Sequence, residues 1–118
     1  MNRARVLIVA VVLVLFIAGG GALIFANRHA GQPRTVDVTI TGAKTMSPHT
    51  WSANQNDTLT VNIKSDTDGE VHLHGYDIHF DTKAGQTVIQ TFKADKSGSY
   101  DIEWESTSTP LGQLVVSP

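Results

Sequence analysis

Cysteine is absent from the 118 residues of this chain, which excludes disulfides and removes the thiolate from any metal site the chain builds. Stability then has to come from a packed core alone. Helical periodicity is missing after Ala26, so neither a helix bundle nor a parallel sheet covered by helices is expected beyond that point. Positive charge is scarce there as well. From Asn27 to Pro118 seven Lys or Arg face eleven Asp or Glu, a net charge of −4 with neutral histidines. A surface of that sign argues against nucleic acid as a partner. There is no glycine-flanked serine nucleophile, no phosphate loop and no carboxylate pair with evident acid–base geometry, since Asp66 and Asp68 belong to a turn. No enzymatic activity is expected from this inventory.

What is present begins with an uncharged apolar run, Val6 to Ala26. At ~1.5 Å per residue it spans ~30 Å as a helix, enough to cross the hydrocarbon core of a bilayer. Arg3 and Arg5 precede it, which by the positive-inside rule keeps the N-terminus cytoplasmic and places the remainder outside. The expected organisation is a single-pass membrane anchor over residues 1–26, a polar linker over 27–35 containing Gly31 and Pro33, and one extracytoplasmic domain over 36–118. The alternative is a cleaved signal peptide with Val6 to Ala18 as its apolar region and Gly19 to Gly21 as its break. Both readings export the domain.

Beyond the linker the sequence alternates. Val36–Ile40, Leu59–Ile63, Val71–His74, Thr87–Phe92, Tyr100–Trp104 and Gln113–Val116 read as strands, separated by turn chemistry at Asn56-Asp57, Asp66–Gly69, Lys83–Gly85 and Lys96–Gly98. Six or seven short strands without helices predict an all-β sandwich of two antiparallel sheets. The apolar members, Val38, Ile40, Leu59, Val61, Ile63, Val71, Leu73, Phe92, Ile102, Leu114 and Val116, are the expected core. Trp51 and Trp104, with Tyr76 and Tyr100, are assigned to its interior and rim. Gly98 is expected in a tight turn, with the Lys96–Ser99 corner not helical. An immunoglobulin-type sandwich fits the same alternation.

Several segments tip the choice. Gly85–Val116 carries a glycine-started strand, a Phe92-x-Ala94-Asp95-Lys96-x-Gly98 corner, a Tyr100 strand and a closing Leu111-Gly112-x-Leu114-Val115-Val116 run. Ser47-Pro48-His49-Thr50-Trp51 looks like a proline turn into a short edge strand. With His74-Gly75-Tyr76 upstream, the chain from about Val36 to Val116 resembles the cupredoxin superfamily, whose members include the copper domains of cytochrome oxidase subunit two and nitrous-oxide reductase. The resemblance implies a Greek-key β-sandwich, an upstream histidine ligand at His74, and a cysteine, histidine and methionine along the last loop. The last loop departs from that pattern. Trp104 and Glu105 stand near the cysteine position, Ser106 to Thr109 where the second histidine belongs, and Leu111 in place of the methionine. Blue-copper charge transfer therefore has no ligands here.

What remains is a histidine set. His72 and His74 are two apart on a strand, so their imidazoles share a face and suit Cu(II) or Zn(II). Asp77, Glu103 or Glu105 would supply a third ligand, and His79 would join if the strand reversed onto this face. Met46 with His49 is a second candidate, a soft pair for Cu(I). The expectation is copper held as Cu(II) by an accessory metal-binding domain, or a metal-free interaction module on the same fold.

Overall fold

The computed structural model describes residues 31–118. The expected membrane segment Val6–Ala26 and the first linker residues, 27–30, lie outside the described residues. Among the described residues no helix is long and apolar enough to cross a membrane.

Nine strands follow one another: β1 Pro33–Thr41, β2 Thr45–Ser47, β3 Thr50–Asn54, β4 Thr58–Ser65, β5 Gly69–Leu73, β6 Ile78–Thr82, β7 Thr87–Lys93, β8 Gly98–Trp104 and β9 Thr109–Ser117. A three-residue 3-10 turn, Glu105–Thr107, joins β8 to β9. The strands form a four-stranded sheet ordered β2-β1-β4-β7 and a five-stranded sheet ordered β3-β9-β8-β5-β6. The chain crosses repeatedly between them. The Lys96–Ser99 corner is not helical, and Gly98 opens β8.

The all-β sandwich agrees with the sequence pattern, but strand direction does not. Two of the pairings, β1 with β4 and β3 with β9, are parallel rather than antiparallel. Alternation fixes which face a side chain occupies and carries no information about the direction of a partner distant in sequence. Three strands were not among the six read from alternation: β2, β3, which the proline turn had suggested, and β6.

Strand β1 starts at Pro33, earlier than the expected Val36, because a buried carboxylate recruits the preceding residues. Asp57 is 1% exposed. It accepts hydrogen bonds from the backbone N–H of Gln32 at 2.8 Å and of Asn54 at 2.9 Å, and it pairs with Arg34 Nε at 2.5 Å. Burial alone opposes ionisation of Asp57, but these two N–H groups and the guanidinium together hold its pKa below the usual carboxylate value. Pro33, Arg34 and Thr35 are thereby laid alongside Thr58, Leu59 and Thr60 although their own side chains are exposed.

All of the expected core residues except Phe92 are buried. Phe92 is half-buried because β7 is an edge strand whose ring faces Tyr76, centroids 5.5 Å apart, rather than the facing sheet. The core also takes in Met46, Trp51, Ala53, Phe80, Ala94, Trp104 and Leu111, with Trp51 and Phe80 meeting edge to face at 6.0 Å. Tyr76 and Tyr100 form its rim.

Candidate metal centre

Alternation along β5 divides its residues cleanly. Val71 and Leu73 enter the core, which sends Glu70, His72 and the following His74 to the outer face of the five-stranded sheet. The register completes the set: His72 lies opposite His79 of β6 on one side and opposite Glu103 of β8 on the other. His74 continues the ladder one step past β5, its N–H donating to Asp101 O at 2.9 Å. Gly75 then turns the chain at φ +83°, a left-handed value, and a Cβ there would run into the Tyr100 ring. Asp77, also left-handed at φ +53°, closes the hairpin.

The three rings form a compact group. His72 and His74 have centroids 4.2 Å apart with planes tilted by 50°, while His72 and His79 stack at 4.3 Å with planes 9° apart. Two sets of three donors lie close enough to share an ion: His72, His74 and Glu103; and His72, Asp77 and His79. The sequence expectation for His72 and His74 is met in geometry, and His79 joins them because the hairpin reverses at Asp77 rather than continuing past Gly75.

The two sets differ in how their polar atoms are occupied. Asp77 Oδ1 lies 3.2 Å from both His72 Nε2 and His79 Nε2, and His79 Nδ1 is hydrogen-bonded to Glu70 Oε2. The bond to Glu70, followed by that to Asp77, raises the pKa of His79 against the lowering effect of desolvation. The bonds from His72 and then His79 lower that of Asp77. On the other side, His74 Nε2 is 2.9 Å from Glu103 Oε2 but out of hydrogen-bond alignment, and it is a buried atom without a hydrogen-bond partner among the described residues. His72 Nδ1 stands 3.3 Å from Glu105 Oε1, long for a hydrogen bond. Donor atoms each ~2.1 Å from one ion, at angles near 100°, stand ~3 Å from one another. The inner pairs have that spacing.

The second sequence candidate is not assembled. Met46 is buried in the core, whereas the His49 ring is exposed and contacts Thr50 Oγ1 at 3.2 Å. His49 precedes β3, three strand positions from β5, which at ~4.8 Å per strand places it roughly 14 Å across the sheet from His72. The last loop offers no better centre. Trp104 points into the core, Leu111 is buried at a bulge between the Ile102–Gly112 and Glu103–Pro110 pairs, and only Glu105 reaches the histidines. Nor does His74 sit at that loop. Val71 is opposite Trp104 and His74 beside Asp101, so His74 lies about three residues, ~10 Å, along the sheet from the end of β8. With no cysteine in the chain, the residues present do not fit the copper centre of the blue proteins. Glu70 is the participant that sequence reading missed, although its two-residue spacing from His72 placed it on the same face.

Comparison with known proteins closes the description. The chain matches the family described as cupredoxin-like domain over residues 7–116. No curated protein sequence matches it. Among solved structures, a copper binding protein in its apo form aligns with a TM-score of 0.60 at 11% identity, over 75% of this chain and 98% of its own. A chain of a heme-copper terminal oxidase dimer gives 0.60 at 13% identity, over 97% and 99%. Auracyanin A, a blue copper protein from the green thermophilic photosynthetic bacterium Chloroflexus aurantiacus, gives 0.52 at 15%, over 71% and 98%. At these identities the likeness establishes the fold.

Proposed function

The chain belongs to the cupredoxin-like domain family, and from that premise we propose that it is an accessory metal-handling module, binding Cu(II) on the outer face of its five-stranded sheet and not at the loop end. His72 and His74 supply two imidazole nitrogens, and Glu103 and Glu105 supply carboxylate oxygens. The observation that carries this reading is the unmatched His74 Nε2, buried and 2.9 Å from a carboxylate oxygen to which it makes no hydrogen bond. A buried polar atom left without a partner costs about 1–3 kcal/mol, and a bound cation would remove that cost.

Two neutral imidazoles with carboxylates suit Cu(II), which outcompetes the other first-row divalent ions for such donors. Without a thiolate the bound ion lacks the intense charge-transfer colour of a blue site. The module binds and holds metal and is not an enzyme. It is tethered to the membrane by Val6–Ala26 with the domain on the extracytoplasmic side, a reading supported by the uncharged apolar run behind Arg3 and Arg5. Intact mass of the mature protein tests the tether, since a new N-terminus near Asn27 would identify a removed signal instead.

Calorimetric titration of the full chain in detergent with Cu(II) tests the metal reading. Uptake of one ion, lost in the His72→Ala/His74→Ala double variant and without an intense visible band, is the expected result. Equal heats for wild type and double variant would leave a metal-free interaction module as the better account.

A further inference from the structure

The hydrogen-bonded half of the cluster has a role of its own. A carboxylate accepts and does not donate, so the His72 Nε2–Asp77 Oδ1 bond requires the ring hydrogen of His72 to be on Nε2. In the neutral ring the lone pair then belongs to Nδ1, the nitrogen 3.3 Å from Glu105 Oε1. Asp77 is itself held: it accepts from His79 Nε2 through the same oxygen, and His79 is fixed by Glu70 at its other nitrogen and by stacking on His72. A second ion among His72, Asp77 and His79 is disfavoured by the same stacking. Rings only 9° from parallel direct their in-plane lone pairs along parallel lines, and these do not converge on one point. The 50° tilt between His72 and His74 allows convergence.

We infer that Asp77, backed by His79 and Glu70, is the positioning residue that selects Nδ1 of His72 as the metal-binding nitrogen. This rests on the metal reading above and adds to it the choice of nitrogen and the group that makes it. Outer carboxylates of this kind orient ligating histidines, and their loss typically costs 10–100-fold in metal affinity.

The test joins a spectrum of the metal-free protein to a titration. Long-range proton–nitrogen correlation spectra of the full chain in detergent, recorded without metal, report the tautomer of each histidine ring. His72 is expected as the Nε2–H form. In Asp77→Asn the side-chain amide can offer its own N–H to Nε2, so the Nδ1–H form should become populated and Cu(II) affinity should fall 10–100-fold. Asparagine tolerates the left-handed backbone of position 77, so the hairpin is preserved. His79→Ala, which frees Asp77 on one side, should move both readouts in the same direction by less.

A wild-type His72 in the Nδ1–H form overturns the inference, and so does wild-type Cu(II) affinity in Asp77→Asn. If Asp77→Asn deletes a second bound ion and leaves the first untouched, Asp77 is a ligand and the positioning role is wrong. If wild type binds no more Cu(II) than the His72→Ala/His74→Ala variant, the underlying reading fails and the inference falls with it. The tautomer spectrum distinguishes that outcome from the others because it requires no metal.

Discussion

Two carboxylates in this protein sit beside basic groups, and their surroundings are opposite. Asp57 is buried and saturated: two backbone N–H groups and the Arg34 guanidinium occupy its oxygens, all within 2.9 Å. Glu103 stands as close to His74, at 2.9 Å, yet no hydrogen bond joins them and the histidine nitrogen is unmatched. The first arrangement has nothing left to bind and ties β1 to the turn before β4. The second retains free acceptor capacity on a rigid sheet face. Saturation, rather than proximity of opposite charges, separates a structural ion pair from a candidate ligand set.

The contrast predicts that the two regions fail independently. The largest effect belongs to the open site: the His72→Ala/His74→Ala variant should lose Cu(II) affinity by at least ~100-fold, given that even outer-shell losses reach that range. Its denaturant midpoint should barely move, because half-exposed side chains outside the core contribute within roughly 0.5 kcal/mol. His49→Ala, measured by the same titration, should leave affinity unchanged. Parallel loss of fold and binding in the double variant would break the comparison.

The saturated site should show the reverse. Asp57→Ala removes hydrogen bonds to a charged acceptor and strands the Gln32 and Asn54 amides, a loss of about 3 kcal/mol in urea unfolding, with Cu(II) affinity retained. Its pH dependence has a definite sign. The folded pKa of Asp57 lies below the unfolded value near ~3.9, so the stability it contributes is complete above that value and lost as pH falls through the folded pKa. Wild type should therefore lose stability more steeply than Asp57→Asn below about pH 4.

Copper binding should respond at a different pH. Protons compete for the imidazole lone pairs, so affinity should decline as pH drops through the range near ~6.5, where Asp57 has no part. The smallest effect is expected from the last loop. Ser106→Ala and Thr107→Ala should leave both affinity and midpoint unchanged within error, since Glu105 is the loop residue that approaches the histidines.

The sequence made this legible unevenly. Period-two alternation located six strands and ten of the buried residues, because burial on one face is what alternation records. It also put His72 and His74 on one face. Parallel pairing of β1 with β4 was invisible, as was the reach of Asp57 back to Gln32, because both depend on contacts more than twenty residues apart. His79 was equivocal in sequence. Its face depended on where the chain reversed, and the left-handed Gly75 and Asp77 made that reversal tight enough to set His79 opposite His72. Matching His74 to the family's upstream ligand assigned a role by motif, whereas the register sets it along the sheet from the last loop.

The most direct test is a Cu(II)-soaked crystal, with anomalous difference density recorded at the copper edge. The account predicts one peak on the outer face of the five-stranded sheet, about 2.0–2.2 Å from His74 Nε2 and His72 Nδ1 with Glu103 or Glu105 oxygen completing the shell. A peak beside His49 or within Ser106–Thr109, or no peak at full soaking with the His72 and His74 rings unchanged, would contradict it.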